Sequence, residues 1–215
     1  MSLLSKILDI VFPEYCKECG KPGSIICLAC LQQAPFAPPT ELPWCNARYH
    51  YQHPLVREAI WQLKYKNRRG LGRVLGTELH DIALEMLSEK MLFDGTQKPL
   101  IVPIPLSKHK IHTRGYNQSA LLAHALKESA PRFYDIDTKV LRKLIETTPQ
   151  ARTRNRYERM HNIKGSFQVR NPDKIKKRLI VVVDDVTTTG ATLREARRVL
   201  LSAGARYVYA VTVAH

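Results

Sequence analysis

The chain has no apolar run approaching the length of a membrane-spanning helix, few acids for its size, and no loop of the form G-x-x-x-x-G-K-[ST]. The first absence argues against a helical membrane protein and for a cytoplasmic one. Residues 2–12, the most apolar N-terminal stretch, are interrupted by Lys6 and Asp9. With Leu3, Leu4, Ile7, Leu8 and Val11 at helical spacing, they read as a short core-packing amphipathic helix stopped by Pro13. The second absence leaves 19 Asp and Glu against 34 Lys and Arg, a net charge of +15. Such an excess favours polyanionic partners, either nucleic acid or phosphorylated substrates, with an anionic membrane surface as the weaker alternative. The third removes the P-loop ATPases as a home for an apolar strand that ends in acid. What remains, 215 residues of 44% hydrophobic content, suffices for one α/β domain with a small appendage.

The most informative stretch is 178–193. Leu179 to Val183 is a β-branched run with no polar break, as expected of a strand covered on both faces. It ends in Asp184 and Asp185, which places two carboxylates where open α/β sheets hold their ligands. Thr187, Thr188, Thr189, Gly190, Ala191 and Thr192 follow, and Leu193, Ala196, Val199 and Leu200 then recur at helical spacing. A hydroxyl-rich loop closing onto a helix N-terminus is suited to an anion. The plainer reading is an ordinary strand end and helix cap.

Cys16-x-x-Cys19 and Cys27-x-x-Cys30 form two thiol knuckles, a set suited to structural, tetrahedral Zn²⁺ with no open position. Disulfides are the alternative, disfavoured in a reducing compartment. Cys45 is left without a role. The proline-rich residues 34–43 mark a boundary, giving a lobe over 1–45 and a main domain over 46–215. Within the main domain a short strand is expected at Arg48–Tyr51. Helices are expected from Pro54, over 71–90 and from Asn117, with strands at Leu100–Pro105 and Thr138–Leu144 and a closing strand at Arg206–Ala214. Leu106–Asn117 reads as a loop. Lys64, Lys66, Arg68 and Arg69 surround Tyr65 in a cluster that suits a nucleic-acid backbone or a phosphate channel, or else a solvated helix end. Residues 147–167, with Arg152, Arg156 and Arg159, read as an exposed basic loop or a mobile flap.

The 179–193 element resembles that of type I phosphoribosyltransferases. The resemblance implies a Rossmann-like, mostly parallel sheet with helices on both faces. It also implies that Asp184 and Asp185 hold the ribose diol of phosphoribosyl pyrophosphate (PRPP), and that Thr187 to Thr192 wrap its 5′-phosphate. Arg114 would contact the pyrophosphate, with Mg²⁺ as the accompanying ion, and residues 147–167 would close as a flap. The cysteine knuckles are joined by Leu63-Lys64-Tyr65-Lys66, Val102-Pro103-Ile104-Pro105-Leu106, Arg114-Gly115-Tyr116-Asn117-Gln118, Thr148-Pro149-Gln150 and Asn162-Ile163-Lys164-Gly165-Ser166-Phe167. Together they make nearly the whole chain resemble the ComF family of competence-associated proteins. That resemblance implies a link to DNA uptake or use, through single-stranded DNA and competence machinery. Two functions stay open: transfer of phosphoribose to an acceptor no residue identifies, or DNA handling with PRPP or a nucleotide as a ligand that is not turned over. Ser2 stands where a glutamine amidotransferase would need cysteine, which argues against that activity.

Overall fold

Leu179 to Val183 form the first part of strand β6, Leu179–Val186, in the computed structural model, which describes residues 13–94, 97–144 and 163–215. Alternate side chains of a strand point to opposite faces, and here both faces are buried. Val181 and Val183 pack with Tyr49, Ile101, Val211 and Val213; Ile180 and Val182 pack with Cys45, Leu100, Val102, Val208 and Ala210. The strand is central in a five-stranded sheet of order β1-β7-β6-β2-β3, where β1 is Cys45–Tyr49, β2 Leu100–Pro103, β3 Asp135–Ile136 and β7 Tyr207–Ala214. All neighbouring pairs run parallel.

Helices α2 (Pro54–Tyr65), α3 (Gly70–Thr77), α4 (Leu79–Asp94) and α6 (Gln118–Ser129) supply the apolar stripes over the first face. Over the second lie α7, Ala191–Ser202, and an antiparallel pair, β4 Leu141–Lys143 with β5 Phe167–Val169. The expected architecture, a parallel sheet with helices on both faces, is the observed one. The cysteine segment carries one helical turn, α1 (Leu28–Leu31), and its Ile26 and Leu31 join the first core beside Tyr49 and Leu63.

Several elements differ from the sequence reading. The 71–90 helix is two helices, because Glu78 is buried at the junction and accepts hydrogen bonds from Gln32, Arg48 and Tyr49 at 2.9, 2.9 and 2.7 Å. Leu106–Asn117 is not all loop: Ser107 caps a helix α5, Lys108–Arg114, which ends at Gly115. The first strand begins at Cys45 rather than Arg48. The last is interior rather than closing, since β1 comes to lie outside it. The helix expected over 2–12 lies outside the described residues.

Close packing of α3 on α6 depends on missing side chains. A Cβ on Gly76 would fall 2.6 Å from Ala125 Cβ and 2.7 Å from the Leu122 carbonyl oxygen. Gly76→Ala should therefore destabilise the fold by on the order of 1–2 kcal/mol, the overpacking cost less the gain in helix propensity. A lower urea midpoint at unchanged slope is the expected result; an unchanged midpoint would show that the helices can separate freely.

Candidate functional site

The chain leaves β2 toward β3 on one side and leaves β6 toward β7 on the other, so the strand order reverses between β2 and β6. The carboxyl ends of those two strands border the crevice where such sheets take ligands. Asp184 and Asp185 are there, among the last three residues of β6. Asp185 is 3% exposed, and its Oδ1 meets Lys64 Nζ of α2 at 2.8 Å. Its Oδ2 is buried with no hydrogen-bond donor among the described residues. Asp184 Oδ1 accepts from Ser119 Oγ at 2.8 Å and from the Asp185 N–H at 2.9 Å. Desolvation and then the neighbouring Asp185 charge push the Asp184 carboxyl up to about 7, against the opposing pull of Ser119, the Asp185 N–H and Lys64.

The segment Arg114 to Ser119 is a string of positioning contacts. The Arg114 guanidinium lies 5.5 Å from the centre of the Tyr65 ring and donates to Gln118. Tyr116 donates its hydroxyl to the Leu63 carbonyl, which pins the end of α2. Asn117 caps α6 and holds the Ile104 carbonyl at 2.9 Å, so the start of α6 is tied to the end of β2. Ser119 then reaches Asp184. Sequence reasoning missed Ser119 and the pairing of Lys64 with Asp185. A serine two residues past a cap carries no distinguishing signal, and a lysine in a charged run reads as solvated.

Beyond the acids, Thr187 is buried and donates its N–H to the Ala214 carbonyl at 3.0 Å. Thr188 is exposed, Thr189 accepts from the Ala191 N–H at 3.4 Å, and Thr192 lies in the first turn of α7. Gly190 takes a φ of 69° and supplies no side-chain cap. The first-turn N–H groups of α7 thus face the loop without an intrahelical acceptor. An Ala Cβ at position 190 would sit 2.5 Å from Leu42 Cδ1, so the loop closes against the proline-rich segment.

The four predicted metal ligands also converge. The Sγ atoms of Cys16, Cys19, Cys27 and Cys30 all lie within 4.8 Å of one another, and none is in a disulfide. This cluster could hold a metal ion such as zinc. It sits against α2, where Lys17 Nζ meets Glu58 at 2.5 Å.

Of the basic candidates, Lys64 is occupied by Asp185, and Arg68 pairs with Glu14. Arg69 lies 4.8 Å over the Tyr116 ring, and Lys66 lies 5.0 Å over Trp61. Arg152, Arg156 and Arg159, with the rest of 147–162, lie outside the described residues. The described ends of that segment are β4 and β5. A cleft of about 510 Å³ beside this strand pair, lined by Asp137, Lys139, Arg142, Arg170 and Lys174 among others, includes neither Asp184 nor Asp185. No described helix is long and apolar enough to cross a membrane.

A parallel sheet with helices on both faces, whose inner strand ends in two acids and a Thr/Gly loop at a helix start, is an α/β protein of the class the sequence led us to expect. DNA utilization protein YhgH of Escherichia coli K12 is 32% identical to this chain over 200 residues, covering 90% of this chain and 80% of that protein. Competence protein F of Haemophilus influenzae is 30% identical over 200 residues, with the same coverage of 90% and 80%. Competence protein ComFC of Bacillus subtilis is 24% identical over 191 residues, covering 88% and 72%. The chain belongs to the ComF family. No protein-family model matches it. Among solved structures, glutamine PRPP amidotransferase from B. subtilis aligns with a TM-score of 0.43 at 15% identity, covering 71% of this chain and 30% of that one. A Trypanosoma cruzi hypoxanthine phosphoribosyltransferase aligns with a TM-score of 0.42 at 12% identity, covering 67% and 64%.

Because Asp184 titrates near 7 when folded and near its ordinary value when unfolded, the folded chain binds the extra proton between those values. Stability should therefore fall as pH rises from about 4 to about 7. Asp184→Asn removes that penalty and should raise the melting temperature at pH 8, by about 2–4 °C per kcal/mol relieved. The gain should shrink toward pH 4, and identical melting curves at pH 8 would contradict the strained carboxyl.

Proposed function

We propose that the Asp184–Asp185 pair and the Thr187–Thr192 loop bind PRPP, and that the protein serves DNA uptake or the use of external DNA. The observation that carries the first part is the pairing of two carboxylates with a helix-terminal N–H cradle at the sheet's switch point. Carboxylate oxygens match a vicinal diol, and Asp185 Oδ2 is buried with no donor among the described residues to satisfy it. The loop offers N–H and hydroxyl donors to a 5′-phosphate. Arg114, at the mouth beside Tyr65, matches pyrophosphate oxygens. Mg²⁺ bound with PRPP would be held near Asp184 and Asp185 and would supply positive charge to offset the pyrophosphate. Transfer to an acceptor would then depend on positioning and charge stabilisation by these side chains.

The second part is supported by membership of a family whose relatives are named for competence and DNA utilization, and by the +15 charge. A DNA-handling protein that binds PRPP without turnover is the alternative. Pyrophosphate release across a panel of bases separates the two, because any turnover ends the purely binding role. We assign the cysteine lobe, residues 1–45, a structural zinc ion, and residues 46–215 the phosphoribosyl site.

Calorimetry with PRPP and Mg²⁺ should register binding by the wild type, and an Asp184→Asn/Asp185→Asn variant should lose it by at least an order of magnitude. Absence of heat with the wild-type protein would end the PRPP reading. Zinc should be present at one equivalent in purified protein by elemental analysis. Cys30→Ser should release it and lower the melting temperature, and a metal-free wild type of equal stability would remove the structural ion.

A further inference from the structure

Helix α2 sets Arg57, Trp61 and Tyr65 at i, i+4 and i+8, and all three are exposed. Trp61 is 43% and Tyr65 is 65% exposed, so two large rings lie side by side in water, their centres 6.3 Å apart. Single exposed apolar side chains are ordinary, whereas adjoining ones rimmed by polar groups mark interaction surfaces. Lys66 stands over one face of Trp61 and Arg114 over one face of Tyr65, at 5.0 and 5.5 Å. The acids nearby are already answered: Glu58 by Lys17, Glu14 by Arg68 and Asp185 by Lys64. Arg57 and Lys66 have no acid partner among the described residues, so the face keeps a positive potential.

Aromatic faces alternating with unneutralised cations recognise single strands without sequence preference, since every base has a π-face and every link a phosphate. A duplex would leave the rings without partners, because its base faces are stacked on one another. We propose that Trp61 and Tyr65 form a base-stacking platform for single-stranded DNA, with Arg57 and Lys66 taking the adjoining phosphates. This rests on the DNA-handling reading above and is separable from PRPP binding.

The test is fluorescence anisotropy with a labelled oligothymidylate and an abasic oligonucleotide of equal length, each over a series of salt concentrations. The wild type should prefer the thymidylate. Trp61→Ala and Tyr65→Ala should each weaken that binding on the order of tenfold and bring the two oligonucleotides together. The salt slope should stay as in the wild type, because no phosphate contact is removed. Trp61→Phe should restore most of the affinity, and PRPP heats in Trp61→Ala should match the wild type. Equal wild-type affinity for both oligonucleotides, or unaltered binding by the doubly substituted protein, overturns the platform while DNA binding itself stands. No binding to either at low salt overturns the platform and the DNA reading together and leaves the PRPP measurement untouched. A dimer that Trp61→Ala dissolves would overturn it by assigning the face to a second copy of the chain.

Discussion

Two carboxylates side by side at the end of an apolar strand repel one another and lose hydration, and the surrounding architecture is arranged to compensate them. Lys64 from α2 meets Asp185, while Ser119 from the start of α6 meets Asp184. Each compensating group comes from a different helix, so the pair can exist only if both helices end or begin at the same place. The Tyr116 hydroxyl on the Leu63 carbonyl and the Asn117 amide on the Ile104 carbonyl are the fastenings that bring them there. The compensation is partial: a buried acceptor on Asp185 and an elevated Asp184 are the residue of unmet charge. An arrangement that costs stability at the place where a ligand would supply the missing partners is typical of a binding site.

The strand and its loop were legible because their signals are local. An unbroken β-branched run, two acids and a glycine before a helical period leave few alternatives, and the helix beginning at Gln118 was announced by its Asn117 cap. The helix over Lys108–Arg114 was also written in the chain, as Ser107 before it and Gly115 after it, but its seven residues bury no side chain and so carry no apolar period. Other features have no local signal. The division at Glu78 arises from Arg48, Tyr49 and Gln32, 29 to 46 residues away in sequence. The pairing of Lys64 with Asp185 spans an even longer separation, and nothing in a run of lysines and arginines marks which one turns inward.

The cysteine segment and the main sheet share one core rather than merely adjoining. Ile26 and Leu31 are fully buried beside Leu63 and Tyr49, and Glu78 holds Gln32 of the segment and Arg48 of the first strand at once. Helix α2 is the common support: its buried side faces the sheet, its Glu58 holds Lys17, and its last turn delivers Lys64 to the acids. Its outward side is left to Arg57, Trp61 and Tyr65. One helix therefore connects the cysteine cluster, the acid pair and the exposed aromatic face, and a shift of its axis would be felt at all three.

The contact between Leu42 and Gly190 has an evolutionary consequence. The proline-rich stretch that reads as a tether supplies the leucine against which the Thr/Gly loop is pressed, and a methyl group at 190 would have to push that leucine aside. Position 190 is restricted twice over, by the leucine opposite and by its own φ of 69°, a backbone conformation that L side chains rarely adopt. Descendants of this sequence should therefore keep glycine at 190 whatever becomes of position 42.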